Sequence, residues 1–297
     1  MRLRFFTVLL VLNFIPLLAQ ESDEEEETEK SNWKGEGNFS LMFSQAAYNA
    51  DWQSGSSSNY AGDIAIDYDL SYKTDRLIWT NNFIGEYGLT RQKDDHFLRK
   101  TNDKIEINST LGYKFEVDSR WSYSFFADFR SQFAKGYEYA DDKQTRTEYT
   151  RIFSPGYLKF GPGLLYKNED FFVFNFAPAT MRFVFVNNRF TTTPGYEDGS
   201  YFGMDQGKST RYEFGASLDI TSKVTLIDNV DLRQKLNLFT DYLDHPKNVN
   251  LDYTLKLDMK INKYLSGNFL FQTIYEDKAV SGFQVREGIG IGFSYKL

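Results

Sequence analysis

Val249-Asn-Leu-Asp-Tyr-Thr-Leu-Lys-Leu-Asp-Met-Lys-Ile261 alternates apolar and polar residues without a break. Val249, Leu251, Tyr253, Leu255, Leu257, Met259 and Ile261 make one face; Asn250, Asp252, Thr254, Lys256, Asp258 and Lys260 make the other. Successive side chains leave a β-strand on opposite sides, so this period of two specifies a two-faced strand. Its length exceeds the ~5–6 residues of an ordinary soluble strand and reaches the ~9–11 that a tilted strand needs to cross a bilayer. Placing Lys256, Asp258 and Lys260 in a small dry core would strand charges at several kcal/mol each. Facing them to lipid would cost roughly 2–4 kcal/mol per midplane Lys or Arg, so the apolar face is expected outward and the charged face in a wet lumen.

The same period recurs about twelve times from Gly35 onward. Regular segments are Ile64 to Tyr72, Leu77 to Tyr87, Ile105 to Phe115, Trp121 to Phe129, Tyr212 to Ile220 and Val230 to Tyr242. Gly35 to Phe43, Tyr157 to Tyr166, Phe171 to Val186 and Leu265 to Tyr275 are less regular. The chain ends on Ile289, Ile291, Phe293, Tyr295 and Leu297 alternating with glycine, Ser294 and Lys296. We read Ile291, Phe293, Tyr295 and Leu297 as an assembly signal for barrel-insertion machinery. Short links are expected near 73–76, 116–120, 167–170, 221–224 and 262–264. Longer polar links are expected near 46–59, 90–103, 134–153, 187–208, 243–248 and 276–282. Short turns on one rim and long loops on the other are the pattern of an outer-membrane barrel. The expected fold is therefore all-β: a single closed antiparallel transmembrane β-barrel of about 12 strands, with short periplasmic turns, long extracellular loops and both termini periplasmic.

Composition agrees. Aromatic content is 18%, with 28 Phe and 20 Tyr, yet mean hydropathy is −0.50. No apolar run after the first twenty residues reaches helical membrane-spanning length. Absent cysteine excludes disulfides, thiolate metal sites and a lipoprotein anchor. Net charge is −7, and about −9 without Arg2 and Arg4, which argues against nucleic acid as partner.

Residues 1–19 read as a signal peptide: Arg2 and Arg4 precede an apolar core from Phe5 to Leu18, and Ala19 is a small residue at the cut. Residues 20–34 are expected to form an acidic, disordered periplasmic tail, since Glu21 to Glu29 carries seven acids. The barrel is expected over 35–297. The short stretch before the first strand leaves no room for a plug domain.

Pro178 lacks a ladder donor, and the apolar parity shifts from Phe172, Phe174 and Phe176 to Met181, Phe183 and Phe185. A bulge near Pro178 to Thr180 accounts for both and turns Arg182 inward.

Several stretches together resemble a family of uncharacterised outer-membrane barrels of Bacteroidota-type bacteria. They are Phe43-Ser44-Gln45 with Trp52, Ser154-Pro155-Gly156-Tyr157, Phe176-Ala177-Pro178, Asn229-Val230, Leu238 with Tyr242, Ile261-Asn262-Lys263, and Gly290 to Tyr295. The chain departs from that pattern at Met181-Arg182, where Gly-Lys is expected, and after Trp52, where a double glycine is reduced to Gly55. The resemblance implies a barrel, an outer-membrane address and outer-membrane lipid as partner. It implies no activity.

Parity assigns the lumen to Asp67, Asp69, Glu106, Asp128, Arg130, Arg182, Arg211, Glu213, Asp219, Asp231, Arg233, Lys235, Asp252, Lys256 and Asp258. Two readings of this two-sign set stay open: salt-bridge ladders filling a narrow, non-conducting barrel that serves as a structural or assembly partner, or a passive pore for small polar solutes. A surface lipid hydrolase is a third reading, since Asp95 and His96 are adjacent in one loop, but no serine is identifiable as their partner. We therefore expect no enzyme, no catalytic residues, no cofactor and no metal. Asp141-Asp142, or Glu197-Asp198 with Asp205, offer oxygen ligands, but in no calcium-loop spacing.

Overall fold

The computed structural model describes residues 31–46, 59–92, 95–140, 144–169, 171–279 and 282–297. The expected signal peptide, nearly all of the acidic tail, Trp52, Gly55 and Asp141-Asp142 lie outside them. From Asn32 onward the chain forms one compact unit.

The described residues form fourteen strands. They are β1 (Trp33–Ala46), β2 (Asn59–Lys73), β3 (Leu77–Gln92), β4 (Arg99–Lys114), β5 (Trp121–Ser131), β6 (Gly136–Tyr139), β7 (Arg146–Thr150), β8 (Gly156–Asn168), β9 (Phe172–Phe185), β10 (Thr210–Ile227), β11 (Val230–Asp241), β12 (Val249–Lys260), β13 (Leu265–Tyr275) and β14 (Gln284–Lys296). Twelve of them close an antiparallel barrel in the order β1-β14-β13-β12-β11-β10-β9-β8-β5-β4-β3-β2. The remaining two, β6 and β7, pair only with each other in a hairpin on the β5–β8 connection.

The wall is apolar outside. Trp79, Phe83, Tyr123, Phe125, Ile291 and Phe293 are among its exposed side chains, and along β5 exposed Trp121, Tyr123 and Phe125 alternate with buried Ser122, Ser124 and Phe126. Closing the sheet gives the backbone an intramolecular partner on both sides of each strand, which a chain crossing lipid requires. An aromatic band marks the short-turn rim, where Trp33 meets Tyr72 at 5.0 Å and Trp79 at 5.7 Å, and Trp121 meets Tyr166 at 5.0 Å. Trp33 and Leu297 both lie at this rim, because Trp33 pairs with Tyr72 and Phe293 with Leu265.

One turn is misplaced by the sequence reading. No link occurs at 221–224; β10 runs on to Ile227, and the turn is Asp228-Asn229, with Asn229 in the left-handed region at φ 69°. Thr221, Ser222 and Lys223 suggest a loop by composition, but Thr221 and Ser222 pair with Val173 and Phe172 of β9 and Val224 pairs with Leu232 of β11, so β10 continues and projects beyond β9 only after Ser222. Asn tolerates positive φ where most side chains do not, and that fixes the true turn.

The β9 bulge is present: Gly215 pairs with Thr180 and Ser217 with Ala177, so three steps on β9 oppose two on β10. On the other side, Gly161-Pro162-Gly163 of β8 faces it. A Cβ at Gly161 or Gly163 would approach the Ala179 or Phe176 carbonyl oxygen at 2.4 and 2.6 Å, so the irregular wall admits only glycine there.

Candidate functional site

The lumen gathers nearly all the charged side chains of the wall. β11 sends Asp231, Arg233, Lys235 and Asn237 inward, β12 sends Asp252, Lys256 and Asp258, and the shifted parity after the β9 bulge sends Arg182. Three ion pairs span the bore: Lys235 with Glu106, Arg130 with Asp252 at 2.8 Å, and Arg233 with Asp67 at 3.9 Å. In each, the partner strands stand five steps apart one way round the ring and seven the other, so the pairs cross the interior. Pairs between neighbouring strands, as expected of salt-bridge ladders, are present as well: Arg182 of β9 with Glu213 of β10, Lys159 of β8 with Asp128 of β5, and Arg233 of β11 with Asp258 of β12. The cross-bore pairs come in addition, because a guanidinium or ammonium on a long stem reaches the far wall, which only a narrow barrel permits.

Other contacts fill the interior between these bridges. Lys159 donates to Ser217 at 2.9 Å and Asp219 at 3.1 Å, and lies 3.6 Å from Asp128. Asn82 donates to Asp67 and Asp69, Thr225 to Asp231, and Gln272 to Asp252. Arg233 also approaches Asp258 at 3.5 Å, and Lys256 does the same. A cavity of about 110 Å³ remains, lined in part by Asp128, Arg130, Tyr157, Lys159, Lys235 and Asp252.

Toward the long-loop rim the lumen is packed tighter. Arg182 grips Glu276 through two bonds of 3.0 and 2.6 Å and Glu213 through one of 2.9 Å, with its guanidinium over the Tyr157 and Phe239 rings. Arg211 also bonds Glu213. Lys278 sits 2.8 Å from Asp244, 3.2 Å from Asp241 and 3.4 Å from Glu213. Burial works against the charge of Lys278, but those three carboxylates outweigh it and hold the ammonium above the ordinary lysine range.

The β9–β10 connection folds onto this cluster. Its Phe202 carbonyl accepts from Arg211, and Gly203 packs against Lys278 and Arg211. Val184, Val186, Tyr201 and Met204 form a buried core there, packed by Tyr149, Tyr157, Phe190, Tyr196 and Phe202. The Tyr201 hydroxyl donates to the Tyr149 carbonyl at 2.6 Å, and burial pushes its pKa up to about 12.

Sequence parity missed Lys159, Asp241, Glu276 and Lys278, and also Lys104, which lies 3.5 Å from Glu86 and 3.6 Å from Glu106, and Arg286, 3.8 Å from Glu86. Lys159 was within reach, since it alternates with Tyr157 and Gly161. Arg286 was not, because Gly288 and Gly290 blur the start of β14, and Glu276 and Lys278 lie in what reads as loop. Neither histidine joins the lumen. His96 is exposed against the Phe97 ring, while Asp95 is engaged by Arg99 and the Phe97 amide. His245 pairs with neighbouring Asp244. Asp198 accepts from the Gln206 amide. Among the described residues no group of three or more His, Cys, Asp or Glu side chains is arranged to hold a metal.

Fold and site together define a closed twelve-strand barrel with an apolar outer wall and an ion-paired interior. Residues 43–137 match the family model described as "Protein of unknown function (DUF3078)". No curated protein matches the sequence. Similar solved structures include an outer membrane channel from Pseudomonas putida F1, at 10% identity and TM-score 0.38 over 93% of this chain and 99% of that one. The NanC porin is similar at 8% identity and TM-score 0.37, over 87% and 98% of the two chains. Outer membrane phospholipase A from Escherichia coli is similar at 11% identity and TM-score 0.37, over 87% and 95%.

Proposed function

We propose that this chain is an integral outer-membrane barrel with a narrow, charge-compensated interior that passes water and small ions and excludes larger polar solutes. The observation that carries this is the set of three ion pairs bridging the bore. Short turns and both ends of the described barrel then face the periplasm, residues 1–19 are removed as a signal peptide, and the acidic tail that follows ends before β1 begins at Trp33, two residues earlier than the sequence boundary at Gly35. We assign no enzymatic role. Planar-bilayer recording tests the reading: small, weakly selective currents are expected, rising when Arg130→Ala and Lys235→Ala remove two bridges. Silence from folded wild-type protein with current from the double variant would favour a second reading, a closed structural element, which the capped Arg182 cluster also supports.

Assembly is expected to depend on the last strand. Phe293 and Tyr295 pair with Leu41 and Phe39 to close the barrel. Deleting residues 293–297 leaves an open edge that lipid cannot satisfy, so heat-modifiable gel mobility should be lost. Normal insertion of the truncated chain would place the signal elsewhere.

A further inference from the structure

The outer wall carries a second cavity, of about 610 Å³, at the long-loop rim below the β6–β7 hairpin. Phe133, Ile152, Phe153 and Phe185 line its apolar side, and Lys135 and Arg151 stand at its edge. Phe133, Ile152 and Phe153 are each about half exposed. Phenyl rings continue from it along the wall: Phe153 packs on Phe129 at 5.8 Å, Phe185 stacks on Phe183 at 6.3 Å, Phe183 on Phe160 at 6.1 Å, and Phe160 meets Phe125 at 6.3 Å.

Beside this strip, Glu148 collects three cations: Arg151 at 2.8 Å, Lys135 at 3.0 Å and Arg189 at 3.6 Å. Partial burial opposes its charge, but the Lys135 hydrogen bond and the neighbouring cations hold the carboxyl below the usual glutamate range. One carboxylate cannot neutralise three cations, and the Lys135 and Arg189 side chains stay half exposed. A positive crown therefore adjoins an apolar groove on the face turned toward the bilayer.

We propose that the crown and the phenyl strip bind a lipid of the adjoining leaflet whose headgroup carries phosphomonoester groups, with its acyl chains lying along the rings. Arg and Lys donors match phosphate oxygens in charge and geometry. The strip matches hydrocarbon, which a soluble anion or an acidic peptide would not use. This inference rests on the membrane-spanning reading above.

The test uses the full folded barrel in neutral detergent, with native mass spectrometry scoring bound lipid A, its dephosphorylated form, and competition by inorganic phosphate. Wild type is expected to hold the phosphorylated lipid about tenfold tighter than the dephosphorylated one. Lys135→Glu with Arg189→Glu should erase that preference, and Lys135→Gln with Arg189→Gln should weaken it if charge reversal disturbs folding. Equal binding of both lipids, an unchanged preference in either variant, or full displacement by inorganic phosphate would overturn the proposal. Heat-modifiable mobility separates the two failures: a barrel that inserts but shows no lipid preference loses only this site, whereas one that never inserts loses the membrane reading.

Discussion

Arg182 and Arg233 each face two carboxylates inside one barrel, yet their surroundings differ. Arg182 is 6% exposed and bonds Glu213 and Glu276 at 2.9 and 2.6 Å, whereas Arg233 is 40% exposed and sits 3.9 and 3.5 Å from Asp67 and Asp258. The first site is roofed by the β9–β10 connection, and the second opens toward the short-turn rim. Identical chemistry therefore serves as rigid filling at one end of the lumen and as a wet, adjustable lining at the other. Desolvation separates the two, because a buried charge that loses its partner cannot recover hydration while an exposed one can.

Arg182→Ala should break this contrast most severely. Losing this guanidinium leaves buried Glu276 with only the Asn250 amide among the described residues, and Glu213 with Arg211 and Lys278, and is expected to destabilise the barrel by about 3–5 kcal/mol, read as a fall in the temperature of the heat-modifiable gel shift. Glu276→Gln added to that variant should recover part of the loss, since it removes the carboxylate that Arg182 alone neutralised. In single-channel recording, Arg182→Ala with Arg211→Ala should unpair the same acids and move the reversal potential toward cations. An unchanged potential in a conducting barrel would mean that the upper cluster does not line the pathway. Arg233→Ala, by contrast, should shift stability by roughly 1 kcal/mol or less, and a loss as large as that of Arg182→Ala would erase the distinction between the two ends.

The smallest effect concerns the roof itself. Burial raises the Tyr201 phenol to about 12 from its ordinary 10.0. A raised folded-state pKa contributes stability that is fully present below pH ~10 and is lost as pH rises from about 10 through about 12. A tyrosinate absorbance titration of wild type against Tyr201→Phe should show one phenol titrating late, and its absence would mean that the roof is open in solution.

The wall was legible in the sequence because period two is a local signal. Val249 to Ile261 announces β12, and the parity change across Pro178 announces the bulge and the inward turn of Arg182. The turn after β10 was misjudged because Thr221-Ser222-Lys223 has loop composition, while strand pairing with β11 carries the chain on to Asp228. Partners across the bore were not legible at all. Lys235 and Glu106 lie 129 positions apart, and nothing local to either residue records how wide the closed ring is. The roof was hidden for a related reason: Tyr201 and Met204 sit among glycines and acids, and only closure of the barrel brings Tyr157 and Val184 beneath them.

The joint between β1 and β14 runs only from Gly37, which exchanges backbone hydrogen bonds with Leu297, to Met42 opposite Gly292, whereas β1 meets β2 along its whole length, from Trp33 opposite Tyr72 to Ala46 opposite Asn59. A cylinder with one short joint does not loosen evenly; it slits along that joint. Amide hydrogen exchange should therefore be fastest on both sides of this line, with protection rising away from it around the circumference.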